Sequence, residues 1–292
     1  QVSVQCFALQ NTNFGCKKEG GLVPPFLQKY DRRMIMGYNH DRIKANARLF
    51  YKNNMGNSIL AQLIYFGVVF GAILVLYFIM GIFMGVSMFS IAIAGASETE
   101  NAVAGAAIGT IISTLILDAL YFAIIVALNP LMIGFMDWYR KSIYEKTSLG
   151  EIFAPYRKEH LWGNIGTMVL MHLYIFLWTL LFIIPGIIKT YSYSQTVFIK
   201  GENPNIPAKR AIELSRIMMD GHKGDLFYLH LSFFGWMLLS ALTYNILGIL
   251  YVFPYYYSAL SFAYVEIKSD AIAKGLIDAS EFGYPQEKYI TE

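Results

Sequence analysis

Charge is scarce in this chain of 292 residues, and long stretches have almost none. Only 15% of the residues are charged and 56% are hydrophobic, which leaves too little polar surface to cover a soluble globule of this length. No charge occurs in residues 53–97 or 226–265, and residues 101–136 and 161–199 hold one each. Each window exceeds the roughly 20 apolar residues that cross a bilayer as a helix. The sequence therefore predicts an all-α integral membrane protein.

Signatures of the common enzymatic and energy-coupling chemistries are also missing. The chain contains no His-Glu-x-x-His zinc motif, no phosphate-binding P-loop, no Gly-x-Ser-x-Gly elbow and no cysteine-rich metal pattern. We therefore predict no catalytic residue, no metal ligand, no cofactor and no nucleic-acid partner. The missing P-loop also argues against a pump that hydrolyses ATP itself.

Cysteine is confined to the first 35 residues, which contain Cys6 and Cys16 and do not resemble the remainder. Residues 32–35 can be encoded by codons that resemble a ribosome-binding site and its spacer, so one hypothesis is that translation starts at Met36. A disordered tail is the alternative. The predicted division is a non-native or disordered extension at 1–35, a polytopic membrane domain at 36–267 and a cytoplasmic C-terminal tail at 268–292.

One layout occurs three times along the chain: a basic amphipathic stretch, then Gly-Asn or Gly-Asp, then a long apolar segment. The junctions are Gly56-Asn57, Gly163-Asn164 and Gly224-Asp225. Residues 172–181 also match residues 230–239 at the histidine, a phenylalanine, the tryptophan and the paired leucines. Periodicity of this kind is typical of internal duplication. We predict parallel repeats, each starting on the same side of the membrane.

The positions of lysine and arginine predict the topology. These residues collect in segments 29–52, 137–160 and 200–225, whereas the connection near residues 95–104 holds two glutamates and no base. By the positive-inside rule the basic segments are cytoplasmic, so both termini are cytoplasmic as well. An apolar window with both of its ends on the cytoplasmic side must cross the membrane twice. The prediction is about six transmembrane helices in three hairpins, near 58–90, 104–136, 165–183, 186–200, 226–243 and 247–267. The fourth helix is short and polar, and it is either spanning or re-entrant.

Each hairpin is predicted to follow a cytoplasmic amphipathic helix. The pattern is clearest after Pro207, and Ser148 opens a second such stretch with capping-box spacing. Helices of this kind lie at the headgroup boundary with their basic side toward anionic lipid. The expected partner is therefore a bilayer with anionic headgroups, and a second copy of the chain or another membrane protein are alternatives. The predicted lipid contacts are Lys209, Arg210, Arg216 and Lys223.

Four polar residues inside the apolar windows are candidates for function. Asp118 and Lys189 are the only ionisable acid and base well inside these windows, where charge is costly. They could pair with each other, or Asp118 could bind a cation or proton. Lys189 could instead snorkel to the interface, and burial could protonate Asp118. His172 and His230 occupy equivalent repeat positions and could face each other, but one histidine per helix is a weak ligand set, and structural hydrogen bonding is the alternative.

Several segments of the second half resemble a known family. The segments are 184–194, 211–216, 219–223, 231–236 and the pair Pro254-Tyr255. They look like the bacterial integral-membrane family catalogued as domain of unknown function 975, with a likeness over about residues 41–267. The layout is more remotely similar to the membrane domain fused to some glycerophosphodiester phosphodiesterases. The resemblance implies a multi-pass protein of the bacterial inner membrane and brings no active site with it.

Two functional classes follow from these observations. The first is a non-enzymatic membrane protein that binds lipid or a membrane partner, which the basic amphipathic helices favour. The second is a passive or ion-coupled transporter of small solutes, which the duplication and the intramembrane charges favour. The first is our prediction and the second is the alternative.

Overall fold

The computed structural model describes residues 38–96 and 100–283, and the backbone of three short strands before them. The strands form an antiparallel sheet in the order β1, β2, β3. They are β1 (Val4–Leu9), β2 (Asn13–Lys18) and β3 (Gly21–Leu22). This backbone does not test whether residues 1–35 are native. The acidic connection expected at residues 97–99 lies outside the described residues.

From residue 40 onward, the described chain is built of helices. They are α1 (His40–Asn53), α2 (Met55–Ala96), α3 (Glu100–Ser142), a 3-10 helix (Leu149–Tyr156), α4 (Lys158–Leu181), α5 (Ile183–Tyr193), α6 (Thr196–Glu202), α7 (Ala208–Met218), α8 (Lys223–Leu242), a π-helical turn (Gly248–Val252), α9 (Phe253–Ala273) and a 3-10 turn (Ala279–Phe282). The chain divides into two compact units, which we call the hairpin unit (residues 63–129) and the basic unit (residues 1–62 and 130–292).

The hairpin unit consists of parts of α2 and α3, and its exposed surface is mostly apolar. The most apolar 18-residue window of each of these helices has no buried residue. Within the unit, the Ser87 and Ser113 hydroxyl oxygens lie 3.3 Å apart. A Cβ added at Gly81, Gly85 or Gly105 would meet nothing within 4 Å. These side chains are therefore exposed in the described structure, and their composition suits the hydrocarbon of a bilayer.

Helix α1 and helix α9 form the centre of the basic unit. The side chain of Asn39 caps α1 by accepting from the Arg42 backbone N–H. The apolar side of α1, which includes Ile43, Ala47 and Phe50, is buried as α1 packs on α9. Proline is the second residue of α9, where its missing N–H costs no helical hydrogen bond. Most of α9 is buried, so this helix packs against protein along nearly its whole length.

Two antiparallel helix pairs follow one another along the basic unit, and a glycine permits close approach in each. In the α4–α5 pair, a Cβ on Gly186 would lie 2.2 Å from the Thr179 hydroxyl oxygen. In the pair formed by α8 with the π-helical turn, a Cβ on Gly248 would lie 2.2 Å from the Ser240 hydroxyl oxygen. The second turn contains Tyr244 at φ 51° in the left-handed region, which a non-glycine residue adopts at some cost.

Four of the described helices are long and apolar enough to cross a membrane: α2, α3 from Asn101, α4 and α8. Six were predicted. The predicted fourth helix, 186–200, is two elements, because α5 ends at Tyr193 and α6 begins at Thr196. The predicted sixth, 247–267, begins as a π-helical turn and continues in α9 to Ala273. The predicted C-terminal tail at residue 268 therefore starts inside α9.

The two other amphipathic segments are also helical, and both bury their apolar sides in the protein. The segment after Ser148 is a 3-10 helix, in which the Ser148 hydroxyl accepts from Gly150 N–H and not from the third amide of a capping box. Its Ile152 is fully buried, and the Ile152 carbonyl lies where a Cβ on Gly134 of α3 would be. Helix α7 packs against α4, α5, α6 and α9.

Candidate functional site

A basic cleft lies where α5, α7 and α8 meet in the basic unit. Its volume is about 360 Å³. Three cationic side chains line it: Lys189 from α5, Arg216 from α7 and Lys223 from the first turn of α8. All three were singled out from the sequence, Lys189 as an intramembrane charge and the other two as lipid contacts. The remaining lining residues are Ser192, Glu213, Ile217, Asp220 and Leu276.

The end of α7 sets the positions of Arg216 and Lys223. Helix α7 starts after Pro207, whose fixed φ suits the residue before a first helical turn, and it ends at Met218. Gly221 then has a φ of +85°, a left-handed conformation that glycine adopts freely. This short turn brings the chain directly into α8 at Lys223. The two cations therefore lie close together on consecutive helices.

Helix α5 brings the third cation to the same cleft. The Lys189 ammonium nitrogen lies 4.5 Å from the centroid of the Trp178 ring on α4, a cation–π contact. The charges of Arg216 and Lys223 repel that of Lys189. A buried hydrogen bond fixes α5 against α7, because the Ser215 hydroxyl donates to the Ser192 backbone carbonyl at 2.9 Å. The cationic groups are thus held together despite their mutual repulsion.

The acidic residues of the cleft neutralise only part of this charge. Glu213 pairs with Arg210 at 2.8 Å, and Asp220 pairs with Lys223 at 3.3 Å. Among the residues that the structure describes, neither Lys189 nor Arg216 has a carboxylate partner within 4 Å. A cleft with two such cations favours an anion with several acceptor oxygens, and phosphate is the common example.

The other predicted lipid contacts lie outside the cleft and differ in their surroundings. Lys209 is exposed. Arg210 makes two hydrogen bonds, at 2.6 and 2.8 Å, to the Glu281 carboxylate. On the other side of α7, Leu214 and Met219 are fully buried. The apolar side of α7 is therefore packed inside the protein.

The remaining predicted polar candidates do not join this site. Asp118 belongs to the hairpin unit and is exposed. His172 is exposed on α4, and its Nδ1 lies 2.7 Å from the carbonyl of Met168 in the same helix. His230 packs beside the ring of Tyr191 at 5.4 Å. No contact between the two imidazoles occurs among the described residues, so a facing pair of histidines is not seen there.

A buried ionic cluster lies elsewhere in the basic unit and was not predicted. Glu202 of α6 accepts from Lys268 at 2.6 Å and from the Tyr264 hydroxyl at 2.5 Å, and Arg140 lies 3.4 Å away. Burial would by itself raise the pKa of Glu202. The charges of Lys268 and Arg140, with the two hydrogen bonds, outweigh burial and hold the pKa at about 2. Because its charges are paired, we interpret this cluster as structural.

Sequence reasoning did not predict the cleft as a site, because the residues that line it come from separate segments of the chain. Ser192 and Leu276 carry no pattern that distinguishes them, and Asp220 resembles any acid near a helix end. The chemistry open to the described residues is also limited. No group of three or more His, Cys, Asp or Glu side chains in the described ranges is placed to hold a metal ion.

The comparisons with known proteins agree with the resemblance noted above. Residues 164–271 match the family described as "Protein of unknown function (DUF975)", so the resemblance to this family is confirmed for that segment. The matched segment contains Lys189, Arg216 and Lys223. No curated protein and no solved structure matches the chain. The remote similarity to phosphodiesterase membrane domains stays a prediction.

Proposed function

We propose that this protein is a non-enzymatic membrane protein that holds the headgroup of an anionic phospholipid in the basic cleft. The observation that carries the proposal is that Lys189 and Arg216 line one cleft without a carboxylate partner among the described residues. A phosphate group offers the acceptor oxygens that an ammonium and a guanidinium together require. Lys223 adds a third donor at the same place.

The surroundings of the cleft support a lipid over a soluble anion. Ile188, next to Lys189, and Phe227, one turn beyond Lys223, are about half exposed. An amphiphile can contact such side chains with its acyl chains while its headgroup occupies the cleft. Helices α4 and α8, which border this region, are themselves apolar enough to cross a membrane.

The proposal places the protein in the bacterial inner membrane with the cleft at the cytoplasmic interface. It keeps both termini and the basic segments inside, with α8 and the start of α9 as a crossing hairpin. For the fourth predicted segment it adopts the re-entrant alternative, because the 11 residues of α5 are too few to cross a bilayer, so the α4–α5 pair enters and leaves on the cytoplasmic side. The antiparallel packing of these pairs supports that topology, as does the location of lysine and arginine. It also keeps the parallel internal repeats.

Cysteine labelling tests the topology. In a chain without Cys6 and Cys16, we expect single cysteines at Asn101 and Thr243 to react with an impermeant thiol reagent added outside intact cells, and a cysteine at Asn205 to react only after permeabilisation. All three side chains are exposed, so accessibility in the protein is matched. Labelling of Asn205 from outside would contradict this topology.

Lipid binding to the purified full chain tests the proposed function. The double variant Arg216→Gln, Lys223→Gln removes two cations that each contribute about 1 kcal/mol near an anionic headgroup. We expect its affinity for phosphatidylglycerol nanodiscs to fall by roughly thirtyfold, since about 1.4 kcal/mol corresponds to tenfold. The matched control is Lys209→Gln, which removes an exposed lysine of the same helix outside the cleft.

Two further arms identify the ligand. Binding to phosphatidylcholine nanodiscs should be weak and unaffected by either variant. Soluble glycerol phosphate should compete poorly, because it lacks acyl chains. If the double variant and the Lys209→Gln control bind phosphatidylglycerol equally, the cleft is not the lipid site. If glycerol phosphate competes fully, the ligand is a free phosphate compound and not a lipid.

A further inference from the structure

A second polar cavity in the basic unit contains a buried lysine without a counterion. Lys200 of α6 is 2% exposed, and its ammonium donates to the backbone carbonyls of Pro204 and Ile206 at 2.7 and 2.8 Å. No carboxylate pairs with it among the described residues. By contrast, the similarly buried Lys268 is paired with Glu202. A buried charge without a partner is costly, and burial accordingly lowers the pKa of Lys200.

The cavity beside Lys200, which we call the chamber, lies between α3, the 3-10 helix 149–156, α4 and α6. Its volume is about 100 Å³. Lys200, Asn164, Asp137, Glu151, Lys141 and Arg157 are among the residues that line it. This volume is large enough for a few water molecules, each of which takes roughly 30 Å³ in the liquid, or for one small polyatomic ion.

The Gly163-Asn164 junction brings one buried amide oxygen without a hydrogen-bond partner to this chamber. A Cβ on Gly163 would lie 3.5 Å from the Lys200 ammonium nitrogen, so the lysine head is adjacent to this part of α4. The next residue, Asn164, is 1% exposed, and its amide nitrogen donates to the Pro155 carbonyl at 2.9 Å. Its amide oxygen is buried and has no partner among the described atoms.

The charges around the chamber leave an excess of one positive charge. Lys141 pairs with Asp137 and Glu151 at 3.0 and 3.2 Å, and Arg157 at the rim pairs with Glu151 at 3.3 Å. Within the lining, two carboxylates thus face three cations, of which Lys200 is the one without an ion pair. Asp137 is also held at 2.6 Å by Arg140, which lies outside the lining. An occupant with one negative charge would balance the residues that line the chamber.

We propose that the chamber binds a small oxyanion that carries one negative charge and at least one hydroxyl group, the shared chemistry of dihydrogen phosphate and hydrogencarbonate. Its charged oxygens accept from the Lys200 ammonium and, at the rim, from Arg157. Its hydroxyl donates to the amide oxygen of Asn164. A metal cation would be repelled by Lys200, chloride would leave the Asn164 oxygen without a donor, and water alone would leave the charge of Lys200 unbalanced.

The test uses the purified full chain with the substitutions Arg216→Gln and Lys223→Gln, so that anion binding in the basic cleft is weakened and the two sites are distinguishable. Isothermal titration calorimetry with sodium phosphate near pH 6, sodium hydrogencarbonate near pH 7.5 and sodium chloride would be done at matched ionic strength. We expect binding of phosphate or hydrogencarbonate at one site per chain and at least tenfold weaker binding of chloride. The arm with the tighter binding identifies which oxyanion fits better.

Substitutions in the chamber then locate the site. Lys200→Met, which keeps the length of the side chain and removes its charge, should weaken oxyanion binding at least tenfold. Lys209→Gln, an exposed lysine on the next helix, is the control and should change nothing. Equal binding by folded Lys200→Met, or no oxyanion binding at tens of millimolar without the substitution, would overturn the proposal.

A rim variant keeps the proposal testable if Lys200→Met does not fold. Arg157 is 66% exposed, so its replacement by Gln leaves the packing intact. We expect Arg157→Gln to weaken oxyanion binding several-fold, because one of its charged donors is lost. Unchanged affinity of this variant would overturn the proposal.

Discussion

The two units of this protein use apolar side chains in different ways. In the hairpin unit the apolar windows of α2 and α3 have no buried residue, and the glycines Gly81 and Gly85 have open space around them. In the basic unit, Trp138, Tyr139 and Phe262 are fully buried, and Gly134 and Gly186 permit contacts that a Cβ would block. The hairpin unit thus leaves its apolar side chains exposed, whereas the basic unit packs them into a core.

Charge follows the same division. The hairpin unit contains no lysine or arginine, and Asp118 is its one charged residue between positions 101 and 129. The basic unit buries Glu202 and Lys268 as an ion pair. Because burial of charge requires close partners, only a densely packed unit can hold such a cluster. Substitutions should therefore have much larger effects on stability in the basic unit.

The largest expected effect comes from breaking the buried ion pair. Glu202→Gln leaves Lys268 and Arg140 without the central carboxylate, and we expect the free energy of unfolding to fall by about 3 to 5 kcal/mol. Urea unfolding in mild detergent would measure it. The contrast is Asp118→Asn in the hairpin unit, where no loss is expected because Asp118 is exposed. A similar loss in both variants would remove the distinction between the units.

A glycine in each unit gives the second contrast. A Cβ on Gly134 would lie 1.9 Å from the Ile152 carbonyl oxygen, which is backbone and cannot rotate away. Gly134→Ala should therefore cost about 3 kcal/mol through overpacking. Gly85→Ala meets nothing within 4 Å and should be neutral, or stabilising by up to about 1 kcal/mol through helix propensity. Thermal unfolding of the two variants in the same detergent compares them directly.

Acid should weaken the basic unit through Glu202. Its pKa falls from 4.5 to about 2 on folding, so its stabilisation is complete above pH 4.5 and is lost as the pH drops through about 2. The difference in unfolding free energy between the unsubstituted chain and Glu202→Gln should therefore be constant above pH 5 and shrink between pH 4.5 and 2. A difference that does not change over this range would show that the carboxylate is not stabilised by its partners.

The smallest effect is expected at the surface of the basic unit. Arg210 forms a bidentate pair with Glu281, but its side chain is 38% exposed and solvent screens the charge. Arg210→Gln should lower the global unfolding free energy by no more than about 1 kcal/mol. It should speed proteolysis near Phe282, because the C-terminal 3-10 turn loses an anchor. Lys209→Gln is the neighbouring control and should leave the proteolysis rate unchanged.

Of the six crossing helices predicted from the apolar windows, four are long and apolar enough to cross a membrane among the described residues. The absence of charge in residues 53–97 leaves nothing to stop α2, which extends from Met55 to Ala96. The break near Ser194, by contrast, was not predicted, because serine and glutamine in a short polar helix give no strong stop signal. The sixth crossing was predicted from the charge-free window 226–265, yet the fold buries most of α9, which covers the end of that window.

The sequence singled out individual residues of the cleft, but it did not predict that they form one site. Lys189 and Arg216 stood out in the sequence for separate reasons, one as an intramembrane charge and the other as part of a basic helix. Their meeting depends on how α5 packs against α7, which the buried Ser215 to Ser192 hydrogen bond fixes. The sequence did not distinguish Lys200, which has no ion pair, because it is one of several basic residues in the segment 200–225.

Hydropathy and charge placement, which are properties of the chain itself, determined that this protein has helices long and apolar enough to cross a membrane and where its basic segments lie. Which charges are paired, buried or left facing a cavity was decided by tertiary structure alone. The physical reason is range: transfer of a helix into lipid depends on its own composition, whereas an ion pair requires two groups within about 4 Å, and residues such as Glu202 and Lys268 are brought that close only by folding.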